Sequence, residues 1–374
     1  MATMARLIVA LLFLSACPAP PPPERPREPG QAAPKITWVR VQTASDVPAA
    51  PPAGTYQIHM IDVGTGLAVL VRGADFAMLY DAGTNDRDEK PMRVASYLEA
   101  ALGASGDELC FEQGPAPARR GRLDHVVLSH PHLDHASALD LVVHCYDVQN
   151  FWDSGRVNET VFYRELLSGI GRSETTRYHS AASVPEDRSV TVKQLAITLP
   201  RWERFSEGDS VKLGEGARFT ILHAEAKQTQ DPNQNSVVIA VELGTARLLL
   251  VGDAESGARK DPSDPVGDVE EFLIDHHRKA IRADILQVGH HGSKTSSRRG
   301  FLEAVRPHLA LVSSGPKTYG KVTLPDAEVL EELKRVGAKI LRTDERDADC
   351  PVHGRMGGDR GPGGCDSWVI TIAP

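Results

Sequence analysis

A chain of 374 residues, 41% hydrophobic and 25% charged, can build a large core in one big α/β domain or two smaller ones. Its formal net charge of −8 argues against non-specific capture of nucleic acid or anionic membrane, both of which call for a cationic excess. Beyond the first residues no apolar run approaches the ~20 residues that a membrane-spanning helix requires.

The N-terminal stretch MATMARLIVALLFLSAC carries one arginine, an apolar run from Leu7 to Leu14, and then Ser15-Ala16-Cys17. Such a run is too short for a permanent span and reads as the core of a signal peptide. Small residues followed by cysteine resemble the lipobox of bacterial lipoproteins, in which the cysteine becomes the lipidated first residue. Residues 1–17 are therefore expected to be a lipoprotein signal peptide with lipidation at Cys17; an ordinary secretory signal is the alternative. Residues 18–54 are rich in proline and read as an extended tether, with KITWVRVQ as a short strand inside it. The folded domain is expected over 55–374. The chain would thus be exported and held at the cell envelope, on the periplasmic or outer surface, by lipid alone and without a transmembrane channel. An even number of remaining cysteines in an exported protein favours disulfides. Cys350 and Cys365 bracket a glycine-rich loop and form one expected pair, leaving Cys110 and Cys145 as the other.

In chain order, YQIHMIDVG, LAVLVRG and FAMLYDAG are β-rich runs split by glycine turns, which predicts an antiparallel start. PMRVASYLEAALGA has helical spacing, LDHVVLSH reads as a strand, and ASALDLVV begins a helix. A second β-rich series follows in VTVKQLAITLP, ARFTILHAE, NSVVIAVELG and ARLLLVGDAE. The helical VEEFLIDHHRKAI leads to the strand ADILQVGHHGS; RRGFLEAVRP, LALVSSG, DAEVLEELKRVGA and SWVITIA complete the pattern. The two halves rhyme. One has a strand ending at Asp81 and a later one at His130; the other has Asp253 and then His290-His291. Strand ends are where α/β folds gather their sites.

The segment SHPHLDHASAL, Ser129 to Leu139, concentrates three histidines and an aspartate where a strand gives way to a loop. His130, His132, Asp134 and His135 spell H-x-H-x-D-H, and neutral imidazole with carboxylate is the ligand set that zinc prefers. In an extended loop His130 and His132 point the same way and share one ion, while Asp134 and His135 turn toward a second.

This motif after a strand resembles the metallo-β-lactamase superfamily. HMIDVGTGLAVLV, MLYDAG, NSVVIAVELGTARLLLVGDAE and ADILQVGHHGSKTSSRRGFLEAVRPHLALVSSG, in that order, resemble the hydrolase domain of ComEC-type competence proteins and their stand-alone relatives. The resemblance implies an α/β fold, the αββα four-layer sandwich, with one or two divalent ions at its rim; zinc is the first expectation and manganese the second. His130 and His132 would bind the first ion, Asp134 and His135 the second, and Asp253 would bridge them. One of His290 and His291 would complete the second site while the other faces the substrate as donor or acid. Asp134, His290 and His291 are thus the expected catalytic residues. Asp81 would hydrogen-bond the metal loop rather than the metal. Where the superfamily supplies a third histidine to the first ion, this chain offers His223, or Asn233 or Asn235 of the DPNQNS loop. A segment like YGHP has become YGKVTLP, exchanging a histidine for Lys321.

Ser293, Lys294 and Ser296 in HHGSKTSS precede a helix, where hydroxyls and N–H groups suit a substrate anion; capping by Ser296 or Ser297 is the bland alternative. His276-His277 reads as helix surface, and Arg298-Arg299 as a solvated loop. The expected function is metal-dependent hydrolysis by an activated water, directed at a phosphodiester in nucleic acid or a small molecule. Acyl hydrolysis of a lactam, lactone or thioester is the alternative of the same fold, and a degenerate metal-binding surface lipoprotein the alternative without catalysis.

Overall fold

Alternation of apolar side chains along the strands decides the layering. In Tyr56–Met60, Ile58 and Met60 enter one core while His59, between them, turns to the other face and bonds the Tyr97 hydroxyl. In Val238–Leu243, Ile239 and Val241 join that same core, while Val238 and Ala240 face the opposite way. The computed structural model describes residues 33–86, 92–103, 121–350, 356 and 363–374. Cys17, the signal peptide and Cys110 lie outside these.

Two sheets stack face to face. The first runs in the spatial order Lys35–Val41, Ser367–Ala373, Tyr56–Met60, Val69–Arg72, Ala77–Tyr80, Arg122–Val127, Asp147–Asp153, Arg177–Ser180 and Trp202–Arg204. The second runs Ser210–Gly214, Ala217–His223, Val238–Leu243, Ala246–Leu250, Ile285–Gln287, Leu309–Val312 and Lys339–Arg342. Each starts antiparallel and turns parallel at its fifth or fourth strand, Ala77–Tyr80 and Ala246–Leu250 respectively. The rhyme between the halves is thus a rhyme of topology.

Ile58, Val71 and Met78 of the first sheet pack on Phe219, Ile239 and Leu248 of the second. Each such side chain contributes about 1.5–3 kcal/mol when fully buried. Helices Arg93–Leu102, Leu139–Cys145 and Val161–Arg172 cover the outer face of the first sheet. Asp268–His277, Arg299–Val305 and Ala327–Arg335 cover that of the second. The result is the expected αββα sandwich.

One boundary is corrected. Lys35–Val41 pairs along its whole length with Ser367–Ala373, so the sheet begins upstream of Thr55, inside the stretch expected to be tether. It is an edge strand with Trp38 and Val39 exposed, which is why it lacks a burial pattern. The Cys350–Cys365 disulfide is present, and Cys145 is disulfide-bonded. Among the described residues no helix is long and apolar enough to cross a membrane.

Candidate metal centre

The rim where parallel strands end carries the polar side chains. Strand Ala77–Tyr80 finishes at Asp81, whose backbone is left-handed (φ 57°) and whose carboxylate is fully buried. Two residues on, Gly83 lies against the loop 132–136; a Cβ there would sit 2.5 Å from the His135 nitrogen, so only glycine lets the loop approach. Asp81 then grips that loop. Its oxygens accept from Ser129 N–H at 2.7 Å, from Ser129 Oγ at 2.7 Å and from His135 Nδ1 at 2.7 Å.

These bonds set the histidine tautomers. Ser129 donates its one hydroxyl proton to Asp81, so it accepts from His130 Nδ1–H at 3.0 Å. His135 Nδ1–H donates to Asp81, and His291 Nδ1–H donates to the Ser313 carbonyl at 3.0 Å. Each of the three rings therefore turns Nε2 inward, with a neighbour fixing its orientation.

Two groups of side chains converge there, each with ligand atoms within 4.8 Å of one another: His130, His135 and Asp253, and Asp134, His135 and His291. His135 Nε2, His291 Nε2 and Asp253 Oδ1 are buried without any hydrogen-bond partner. His135 Nε2 and Asp253 Oδ1 face one another at 3.2 Å as an ion pair without hydrogen-bond geometry. Unpartnered buried imidazole and carboxylate atoms aimed at one point are what a divalent ion satisfies, and the donor set fits zinc. Burial disfavours charge on both His135 and Asp253. The carboxylates of Asp253 and Asp81 nonetheless raise the His135 pKa well above normal, and His135 and His291 hold Asp253 well below.

The structure separates His290 from His291. His291 joins the second group, with Nε2 3.7 Å from Asp134 Oδ2 and 3.8 Å from Asp253 Oδ2. His290 bonds through Nδ1 to Glu255 Oε1 at 2.7 Å and to Thr295 Oγ1 at 2.8 Å, with a quarter of its side chain exposed. Burial opposes its protonation, but Asp253 and Glu255 push its pKa up to about 9. Glu255 and Thr295 also line an open polar cleft of about 390 Å³ beside the centre.

Other expected residues fall less neatly. His132 Nδ1 lies 2.9 Å from His130 Nε2 yet stands outside both groups. His223 packs on Phe272 and donates to the Ser236 carbonyl. Asn235 bonds the carbonyls of Glu225 and Lys227, which staples its own loop. Asn233 donates to Glu255 at 3.2 Å and leaves a buried Oδ1 unpartnered. The expected anion contacts are corrected: Lys294 Nζ pairs with Glu328 at 2.7 Å and Ser296 is fully buried, while Ser293 bonds Arg259 and Thr295. Arg298 is likewise no solvated residue; it is buried and donates to the carbonyls of Asp261 and Ala258. His276 is exposed, as a helix-surface residue should be.

Glu255, Asn85, Tyr319 and Thr295 went unnoticed in the sequence. Glu255 had a signal, since it stands two residues after Asp253 at a strand end. Asn85 donates to Asp134 Oδ2 at 2.6 Å and to the Tyr319 hydroxyl at 3.2 Å, contacts between segments far apart in the chain.

Two packed sheets flanked by helices, with imidazoles and carboxylates gathered on one rim, define the metal-binding hydrolase fold of αββα type. Residues 61–315 match the metallo-beta-lactamase superfamily, and the chain belongs to that superfamily. It is 27% identical over 297 residues to competence protein ComA of Neisseria gonorrhoeae, covering 79% of this chain and 32% of that protein. It is 28% identical over 290 residues to recombination protein 2 of Haemophilus influenzae, covering 77% and 28%. The chain thus spans about a third or less of these curated relatives. Among solved structures, Igni18, a metallo hydrolase of Ignicoccus hospitalis, is 12% identical with a TM-score of 0.43, covering 77% of this chain and 95% of that one.

Proposed function

We propose that this chain is an exported metal-dependent hydrolase of phosphodiesters. The observation that carries a metal-dependent reading is the convergence of His135 Nε2, His291 Nε2 and Asp253 Oδ1, buried and without partners. The similarity to proteins named for competence and recombination supports a phosphodiester over an acyl substrate. His130, Asp134, His135, Asp253 and His291 would hold the ions, with His132 beside His130. Divalent ions so held supply Lewis acidity and lower the pKa of water. The residues around them do the rest. Asp81, Ser129 and the Ser313 carbonyl each hold a ring's Nδ1 proton and so aim its Nε2 inward. His290, kept cationic by Glu255 and Asp253, faces the opening and donates to a substrate phosphate oxygen.

Purified chain loaded with zinc or manganese should hydrolyse bis-p-nitrophenyl phosphate, and the Asp253→Ala variant should not. Turnover of nitrocefin in place of the phosphodiester would overturn the substrate class, and absence of bound metal would overturn the reading as a whole. Location belongs to the same proposal. The Cys350–Cys365 disulfide supports an oxidising compartment, and Cys17 is the proposed lipid attachment. Cys17→Ser should abolish labelling by a fatty-acid analogue; persistent labelling would remove the anchor from the proposal.

A further inference from the structure

A small hairpin stands over the metal centre. Thr318–Tyr319 pairs with Val322–Thr323 across a two-residue turn whose first residue, Gly320, has φ 65°. Its tip is exposed, Tyr319 and Lys321 included. Its base is clamped. Lys317 N–H donates to Thr65 Oγ1 at 3.1 Å, Ser313 Oγ to the Gly66 carbonyl at 2.7 Å and Ser314 Oγ to the Leu324 carbonyl at 2.7 Å. Gly315 lets the base lie on the 64–66 loop, since a Cβ there would meet the Thr65 nitrogen at 2.2 Å. A fixed base and an open tip are what a substrate-holding jaw requires.

Tyr319 reaches from that tip into the centre. The residue is 37% exposed, too open for a core position, while its hydroxyl lies 3.4 Å from Asp134 Oδ2. Asn85 sits between the two, donating to both. The phenol oxygen thus has its acceptor side filled by Asn85. Among the described residues its own proton has only the long contact to Asp134, an oxygen already served by Asn85 at 2.6 Å. A donor with so weak a partner, beside the second group of ligands, is free for a substrate oxygen. Lys317, over the Tyr319 ring at 5.2 Å, and Lys321 at the turn add two cations to the same hairpin.

We propose that Tyr319 is a substrate-contacting residue that donates its hydroxyl to a non-bridging phosphate oxygen, with Asn85 positioning it. The proposal rests on the phosphodiester reading above. The test compares wild-type chain with Tyr319→Phe, both loaded with zinc. Metal content should be equal in the two, kcat on bis-p-nitrophenyl phosphate should fall on the order of 100-fold, and KM should change little. Calorimetric affinity for inorganic phosphate should fall several-fold alongside. Loss of metal from Tyr319→Phe would make the hydroxyl a mere prop for Asp134, and unchanged kcat with unchanged phosphate affinity would remove its substrate contact; either overturns the proposal. Should the wild type turn over no phosphodiester, the functional reading fails by itself, and phosphate affinity still decides Tyr319. Wild-type chain that neither turns over the phosphodiester nor binds phosphate would sink both.

Discussion

Replacing Asp81 with asparagine should weaken metal binding far more than folding. Asparagine accepts the left-handed backbone of this position (φ 57°) and keeps an oxygen for Ser129 N–H. Its amide nitrogen, however, then confronts Ser129 Oγ and His135 Nδ1, which both donate to the Asp81 carboxylate at 2.7 Å. His135 relieves the clash by moving its proton to Nε2, the atom needed for the ion. Loss of such an orienting partner costs about 10- to 100-fold in metal affinity. The metal-free fold should lose only about 1–2 kcal/mol, because burial already penalises the Asp81 carboxylate that is removed. Asp81→Ala should instead lose about 3–5 kcal/mol, since it strands every donor and puts alanine in the left-handed region. Chelator-competition titration with zinc and urea denaturation of the metal-free proteins measure the two effects. Zinc affinity of Asp81→Asn within twofold of wild type, at unchanged fold, would refute the tautomer reasoning.

Metal stoichiometry should divide the ligands: Asp253→Ala, which removes the carboxylate that faces both His135 and His291, loses both ions, whereas His132→Ala, which removes only the neighbour of His130, loses one and keeps about one equivalent by elemental analysis. Glu270 is buried, accepts from the backbone N–H groups of Ser297 and Arg298, and has its pKa pushed up to about 7 by burial. A carboxyl raised in the folded state stabilises fully below its unfolded value near 4.5, and that contribution is lost as pH rises through 7. Urea denaturation should therefore show Glu270→Gln gaining on wild type by about 3 kcal/mol between pH 4.5 and 7.5; parallel curves would contradict the shift. The Cys350–Cys365 bridge, at a sequence separation of 15, should contribute about 3 kcal/mol by loop closure, read as the stability lost in Cys365→Ala.

What was legible in the sequence was local. H-x-H-x-D-H, Asp81 and Asp253 each stand at the end of an apolar run, and the run reports the strand while the end reports the rim. The αββα layering was implied by the family resemblance, and in the structure the runs agree with it, each alternating between two cores. What escaped depends on partners far along the chain. Lys294 was expected to meet an anion, yet Glu328 of a later helix takes it. Ser296 was expected to meet the same anion, yet it is buried next to Ser297, whose N–H Glu270 accepts. Asn85 carries no motif, and Tyr319 opens the YGKVTLP segment without any sign of a partner; a loop and a hairpin bring the two together only in the folded chain. Lys35–Val41 was read as a strand but placed in the tether rather than the sheet, because an edge exposes most of its side chains.

The division of labour between His290 and His291 turns on their backbone. Both are left-handed, with φ 47° and 52°, a conformation that costs non-glycine residues on the order of 1 kcal/mol each. Adjacent residues in a strand would also diverge, but to the two faces of the sheet, where His290 would enter the outer core. In a left-handed turn beyond the strand Ile285–Gln287 both rings stay at the rim. One ring enters the ligand group while its neighbour turns to Glu255 and Thr295, which line the cleft. The turn is held from outside: His290 N–H bonds the Gly252 carbonyl at 3.2 Å, next to Asp253, and Asp326 N–H bonds the Gly292 carbonyl at 3.0 Å. Strain of this kind persists where the surroundings over-determine it. Here it places an imidazole of the ligand group and one beside Glu255 and Thr295 on consecutive residues, tied to the loop that supplies Asp253.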